Sequence, residues 1–187
     1  MTVLPVVTVG DPVLRERARE VSHDELGSPE VQRLIDDMIE TMRAAGGAGL
    51  AANQVGDLHR IAVIEVRDNP RYPYKPPIPL TVIVNPTLTP MAEDTFLVNE
   101  GCLSVPDLRG DLPRHLAVRV DYLDRQGELL SDVRRGLSAG TFQHEVDHLD
   151  GVLFLDRVED PTTFTTWEQF DRHHKAAFLE RIAGLPT

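Results

Sequence analysis

Gln143-His144-Glu145-Val146-Asp147-His148-Leu149-Asp150-Gly151 is the stretch on which the reading of this chain turns. On a helix, His144 and His148 stand four apart, about one turn from each other on the same face. Two imidazoles so placed can grip a divalent metal, with Glu145 beside them as a candidate base for a metal-bound water. Leu137, Val146 and Leu149 supply apolar anchors, and Gly151 follows as a helix stop of the left-handed type. The other reading is a polar helix with two solvated histidines. A third ligand decides between them, and it has to come from elsewhere in the chain.

Working outward, Val118 to Leu123 and Glu128 to Val133 form a hairpin around Asp124-Arg125-Gln126-Gly127 just ahead of the helix. A short apolar strand is expected behind it, at Val152 to Leu155. From Thr165 the chain turns helical: Thr165 and Glu168 suit a capping box, and Trp167, Phe170, His174, Phe178 and Ile182 fall roughly on one face. Further upstream, Arg60 to Val66, Leu80 to Val84 and Thr95 to Val98 read as strands. Asp68 to Pro79, with prolines at 70, 73, 76, 77 and 79, reads as an extended surface loop. Ser28-Pro29 opens an amphipathic helix whose buried stripe is Val31, Leu34, Ile35, Met38, Ile39 and Met42, ended by Gly46-Gly47. Asp11-Pro12 caps a shorter one. Gly47 to Gln54 is dominated by small residues, which suit close approach of backbone or ligand; alone it reads as a tight turn. His23, His59, His115, His173 and His174 show no ligand spacing and are read as surface or core histidines. Strands scattered among helices without regular alternation give an α+β class. The expected architecture is mixed and antiparallel β-sheets packed around a central metal-binding helix, with an N-terminal amphipathic helix and a C-terminal helix at about 164–183. Residues 1–187 suffice for one domain with a proper core, or at most a domain plus a tail.

Composition narrows the function. Apolar residues make up 41%, enough for a folded core, and no run approaches a membrane span. A net charge of −11, with only short Arg clusters, argues against nucleic acid as a direct partner. Gly10-Asp11-Pro12 ends the first apolar run too early for a signal peptide, so the cytoplasm is the expected compartment. Cys102 is the only cysteine, which excludes an intrachain disulfide. As thiolate it is the softest ligand available, and Gly101 before it permits a bend that aims the sulfur. A thiolate with two imidazoles leaves a fourth position open for water, the catalytic rather than the structural pattern.

Three stretches in order, Gly47 to Gln54, Glu100 to Ser104 and Gln143 to Leu149, resemble the motifs of the bacterial-type peptide deformylases, over about Val3 to Asp160. Asn53 stands where proline or threonine is commoner, and Asn99 where a larger residue often sits. The resemblance implies a metal-dependent hydrolase that removes the formyl group from the N-terminal methionine of nascent polypeptides, releasing formate. It implies Cys102, His144 and His148 as ligands of Fe(II), for which zinc, nickel or cobalt can substitute. Glu145 becomes the proton carrier, while the Gln54 side chain and the Leu103 backbone N–H become the oxyanion donors. Gly49 and Gly101 are expected to meet the substrate main chain. Glu100, also expected at the substrate, and Asp147 would support the ligands. The partners implied are formyl-methionyl nascent peptides, met at the ribosome. Helix geometry adds a pocket: Gly136, Gly140, His144 and His148 form one ridge, and Gly140 between Leu137, Thr141 and Ala48 would leave room for the methionine side chain. Close helix-to-sheet packing explains the same glycines. Two rivals are weighed. A generic zinc peptidase takes its third ligand downstream as His or Glu. A non-catalytic or specialised relative that binds formyl peptides or hydroxamate-type inhibitors should lack Glu145 or Gln54, and both are present.

Overall fold

The computed structural model describes residues 2–67 and 72–186. After a one-turn 3₁₀ helix at Pro12–Arg15, capped by Asp11, come α1 (His23–Leu26) and α2 (Pro29–Ala44). Ser22 and Glu25 close a capping box on α1, and the Ser28 hydroxyl accepts from the Val31 N–H to start α2. The buried face of α2 carries Val31, Ile35, Met38, Ile39 and Met42. Each such side chain contributes about 1.5–3 kcal/mol when taken from water. Gly46, in the left-handed region, turns the chain into strand β1 (Gly49–Ala51). The small-residue stretch is thus not only a turn: its middle is an edge strand, and Ala52–Val55 follows as a 3₁₀ turn.

β1 pairs with β2 (Ile61–Val66), β2 with β3 (Ile78–Pro90), β3 with β6 (Ala117–Leu123) and β6 with β7 (Leu129–Arg135), all antiparallel. β4 (Thr95–Cys102) and β5 (Val105–His115) make a separate two-stranded ribbon. The 118–133 hairpin forms as its turn chemistry requires, with the Asp124 carboxylate accepting from the Gln126 and Glu128 N–H groups.

α3 (Gly136–Leu149) runs into the space between the five-stranded sheet and the ribbon, and nearly every one of its residues is buried. Its stop matches the expectation: Gly151 sits at φ 75°, and a Cβ there would lie 2.5 Å from the Arg15 carbonyl oxygen. Four expectations need correction. Val152 to Leu155 is no strand; a 3₁₀ turn occupies Phe154–Arg157, with the Asp156 carboxylate accepting from the Leu153 N–H. The C-terminal cap is Thr166 rather than Thr165. Helix α4 (Trp167–Gln169) then passes through a π-helical turn at Phe170–His174 into α5 (Lys175–Ile182). The wide turn inserts a residue into the helical phase, so Phe170, Phe178 and Ile182 are buried while His174 faces water. In the proline-rich connection, residues 68–71, Pro70 among them, lie outside the described ones. From Tyr72 onward the connection is not a surface loop throughout: Tyr72 is buried, and Ile78 already belongs to β3.

Candidate metal centre

Cys102 closes β4 at the tip of the ribbon, where Leu103 and Ser104 reverse the chain into β5. That reversal brings the Ser104 N–H to 3.3 Å from Cys102 Sγ, a donor that favours the thiolate. His148, on α3, places Nε2 at 3.2 Å from the same sulfur. The His144 and His148 rings stand 5.0 Å apart, as two imidazoles one turn apart on one helix face should. Burial pushes the Cys102 thiol up, but His148 and His144 beside it outweigh that and bring it to about 5. Burial works against charge on His144 as well, yet the Cys102 and Glu100 contacts hold it well above the usual imidazole range.

The ligand atoms of Cys102, His144 and His148 all lie within 4.8 Å of one another. A tetrahedral ion with ligand bonds of about 2.0–2.3 Å keeps neighbouring donors roughly 3.5 Å apart, so three groups gathered this closely fit such an ion. The donor set fits too: a soft thiolate with two imidazoles suits a first-row divalent metal.

A buried ion-pair network orients the ligands. The Glu100 carboxylate accepts from His144 Nδ1 at 2.8 Å, which turns Nε2 of that ring toward the other ligands. Both oxygens of Glu100 also receive the Arg114 guanidinium, at 2.8 Å each. Arg114 reaches on to Asp147, which Arg157 holds from the other side. Burial alone would raise the Glu100 carboxyl, but Arg114 and His144 together hold it far below the usual carboxylate range. Asn53 donates to the His148 carbonyl oxygen and so ties the 3₁₀ turn to the ligand helix. Asn99 accepts from Arg109 Nε at 2.7 Å and donates to Asp111, which fixes the ribbon. The two unusual asparagines of the sequence are therefore both structural ties.

Glu145 is 4% exposed, and its Oε2 has no hydrogen-bond partner among the described residues. Burial raises its carboxyl, with the two imidazoles opposing. Gly49 explains how it fits: a Cβ built on Gly49 would lie 2.2 Å from Glu145 Oε1. Gln54 is locked in one orientation, its Oε1 accepting from the Ala51 N–H at 2.9 Å. Its Nε2 points to Ser104 Oγ at 3.1 Å and Cys102 Sγ at 3.5 Å.

These groups open onto a cavity of about 50 Å³. Gln54, Gly49, Gly101, Leu103, Glu100 and Ala48 line it, as do Leu137, Gly140 and Thr141 of α3. Gly136 does not; it lies against Leu185 and Pro186 near the C-terminus. A Cβ on Gly140 would rest 3.5 Å from Phe96 Cζ, an ordinary contact, so that glycine borders the cavity and β4 together. Sequence reasoning missed the roof. Tyr72, Tyr74 and Lys75 turn inward from the proline-rich connection, and Arg109 from β5 closes the far side between Trp167 and Phe170, at 3.9 and 4.5 Å from the ring centroids. Two tyrosines spaced among prolines were the available signal for this.

The polypeptide deformylase family model matches residues 3–164. The chain is 42% identical over 167 residues to peptide deformylase 2 of Nostoc sp., covering 89% of this chain and 92% of that one. Among solved structures it is similar to the Met-Ala-Ser-bound class I type b peptide deformylase of Acinetobacter baumannii. The TM-score is 0.81 at 43% identity, over 84% of this chain and 99% of that one. The peptide deformylase of Thermotoga maritima gives a TM-score of 0.74 at 34% identity, over 86% and 100% of the two chains.

Proposed function

The chain belongs to the polypeptide deformylase family and is a metal-dependent hydrolase that removes the N-terminal formyl group of formyl-methionyl peptides, and we propose how its own residues divide that work. Cys102, His144 and His148 hold the ion, with Glu100 and Asp147 keeping them in place through Arg114. A divalent ion bound there supplies Lewis acidity, polarising the formyl carbonyl and lowering the pKa of water. Glu145 takes a proton from the attacking water on its unpartnered Oε2. As the formyl C–N bond breaks, Glu145 passes that proton to the departing amine, and formate and the free amine leave. The Gln54 side-chain N–H and the Leu103 backbone N–H donate to the carbonyl oxygen as it gains charge. The free edge of β1 at Gly49 and the ribbon at Gly101 take the extended peptide backbone, and the recess by Leu137, Gly140 and Thr141 takes the first side chain.

The native ion in this reading is Fe(II), with zinc, nickel or cobalt able to replace it. The substrates are nascent chains in the cytoplasm, met at the ribosome, and residues 1–187 act as one catalytic domain. No helix among the described residues is long and apolar enough to cross a membrane. The observation that carries the reading is the gathering of three ligand atoms within 4.8 Å beside the unpartnered Glu145 oxygen. It also weighs against a non-catalytic binder, which has no need of a base there. The test is formate release from formyl-Met-Ala-Ser by protein loaded with Fe(II) without oxygen. Absence of formate from fully loaded protein would refute it.

A further inference from the structure

The roof of the cavity carries a charge that the methionine recess does not need. Lys75 Nζ donates to Thr141 Oγ1 at 3.0 Å, while that hydroxyl itself donates to the Leu137 carbonyl oxygen at 3.1 Å. The ammonium also stands 5.1 Å from the centroid of the Tyr72 ring. Thr141 lies four residues before Glu145 and three before His144 on α3, so the cation is fixed one helical turn from the reacting centre. Thr141, which holds the ammonium, and Leu137, which holds the Thr141 hydroxyl, both belong to the wall assigned to the first side chain of the substrate. An ammonium has three donors, and Thr141 uses one. A hydrocarbon end pressed against it strips water from a charge without return. An oxygen acceptor in the same place makes a charge-assisted hydrogen bond. A thioether, a weak acceptor, falls between. Glu145 on the same helix disfavours a substrate anion there, so the acceptor that fits is uncharged.

We propose that Lys75 is a specificity-determining residue, and that it makes the recess select unbranched first side chains of methionine length that end in an uncharged acceptor. Formyl-methionine sulfoxide peptides are then substrates beside formyl-methionine ones, and both outrank formyl-norleucine, which has the same length and no acceptor. This rests on the deformylase reading above and concerns only what enters its pocket. Burial lowers Lys75 to about 8, so the ammonium is the main form at neutral pH.

The experiment measures kcat/KM on formyl-methionine sulfoxide, formyl-methionine and formyl-norleucine tripeptides of otherwise equal sequence. Wild type, Lys75→Met and Lys75→Arg are compared in metal-loaded form. Binding of the corresponding deformylated tripeptides is measured by calorimetry on the same proteins. Lys75→Met should cut the sulfoxide-to-norleucine ratio by at least about tenfold, the size of one hydrogen bond to a charged group. Lys75→Arg should keep most of it. The calorimetric ratio should move in parallel, and it reads the pocket even if no peptide is hydrolysed, an outcome that would sink the deformylase reading alone. A Lys75→Met ratio within about twofold of wild type in both measurements overturns the proposal. So does an equal rise for all three peptides, which would make Lys75 a plain obstruction. If Lys75→Met does not fold, Lys75→Ala reads the same ratio.

Discussion

Gly49→Ala tests the placement of the base by the smallest change available. The added Cβ would meet Glu145 Oε1 at 2.2 Å, Cδ at 2.5 Å and Cγ at 2.8 Å, where ordinary contact begins at 3.4 Å. The Glu145 carboxylate has to retreat by about 1.2 Å, and the three atoms nearest the added Cβ all belong to that one side chain. A displacement of about 1 Å at a reacting group costs on the order of 10²-fold. Complete loss of a general base costs about 10²–10⁴-fold. Gly49→Ala should therefore lower kcat/KM by about 10²-fold or more, or at least about 2.7 kcal/mol of transition-state stabilisation. Metal content should not change, because Glu145 is not a ligand. The decisive assay is a double-mutant cycle with Glu145→Ala. Once the carboxylate is gone the alanine has nothing to displace, so Gly49→Ala should cost less than about fivefold on that background. If Gly49→Ala costs the same with and without Glu145, the glycine serves the substrate backbone alone, and the steric argument is wrong.

Glu145→Ala should keep its metal and lose about 10²–10⁴-fold in deformylation, whereas Cys102→Ala should lose metal; a metal analysis with the reverse pattern would overturn the division of roles. Arg114→Met should destabilise the protein by about 3–5 kcal/mol in urea unfolding, because it leaves Glu100 and Asp147 buried without their shared cation. Activity with iron should decay in air and last longer with nickel or cobalt, since a thiolate beside Fe(II) is open to oxidation; equal lifetimes would count against iron as the native ion. Glu25 is held at about 2, first by the Ser22 backbone N–H and then by Arg19, below its ordinary 4.5. Its folded value is depressed, so its contribution is present above about pH 4.5 and fades as pH falls toward 2. The stability gap between wild type and Glu25→Gln should thus be constant above about pH 5 and narrow at about pH 3.5 in denaturant titrations.

Elements whose burial follows from apolar periodicity were legible in the sequence. α2 shows its stripe plainly, and the β6–β7 hairpin announces itself through Asp124 to Gly127. The ligand helix was legible from two histidines at one spacing. β5 was not, although it supplies half the site's support. Its buried members include Arg109, 1% exposed, and Arg114, 3% exposed, and arginines read as solvent-facing in any pattern argument. Their burial depends on partners distant in sequence: Glu100 and Asp147 for one, Asn99 and the Trp167 and Phe170 rings for the other. Prolines at 106 and 113 also mask the strand, and they are tolerated because β5 pairs with a strand on one side only, its other edge meeting the chain at the isolated Arg109–Thr165 bridge. The inward turn of Tyr72 to Lys75 was hidden for a related reason. Proline density signals an extended path and says nothing of which side the path shows to the protein.

The charges around the centre explain why so much arginine is buried near it. A divalent ion brings two positive charges, and its own field has to enter any account of the site. Four acidic groups crowd the same region: Cys102, Glu145, Glu100 and Asp147. If all four drew on the ion, little of its charge would be left to polarise a substrate. Arg114 and Arg157 remove two of them, since they engage Glu100 and Asp147 in buried or half-buried pairs. On the proposed division of roles, the charges left to face a bound ion would be the Cys102 thiolate as ligand and Glu145 as base. Glu100 can then hold His144 Nδ1 as an oriented acceptor whose charge is already met by Arg114. On this argument Arg114 acts twice, as the neutraliser of two carboxylates and as the clamp on a ligand. Arg114→Lys should serve the first role better than the second, because an ammonium cannot span Glu100 and Asp147 in the same forked geometry.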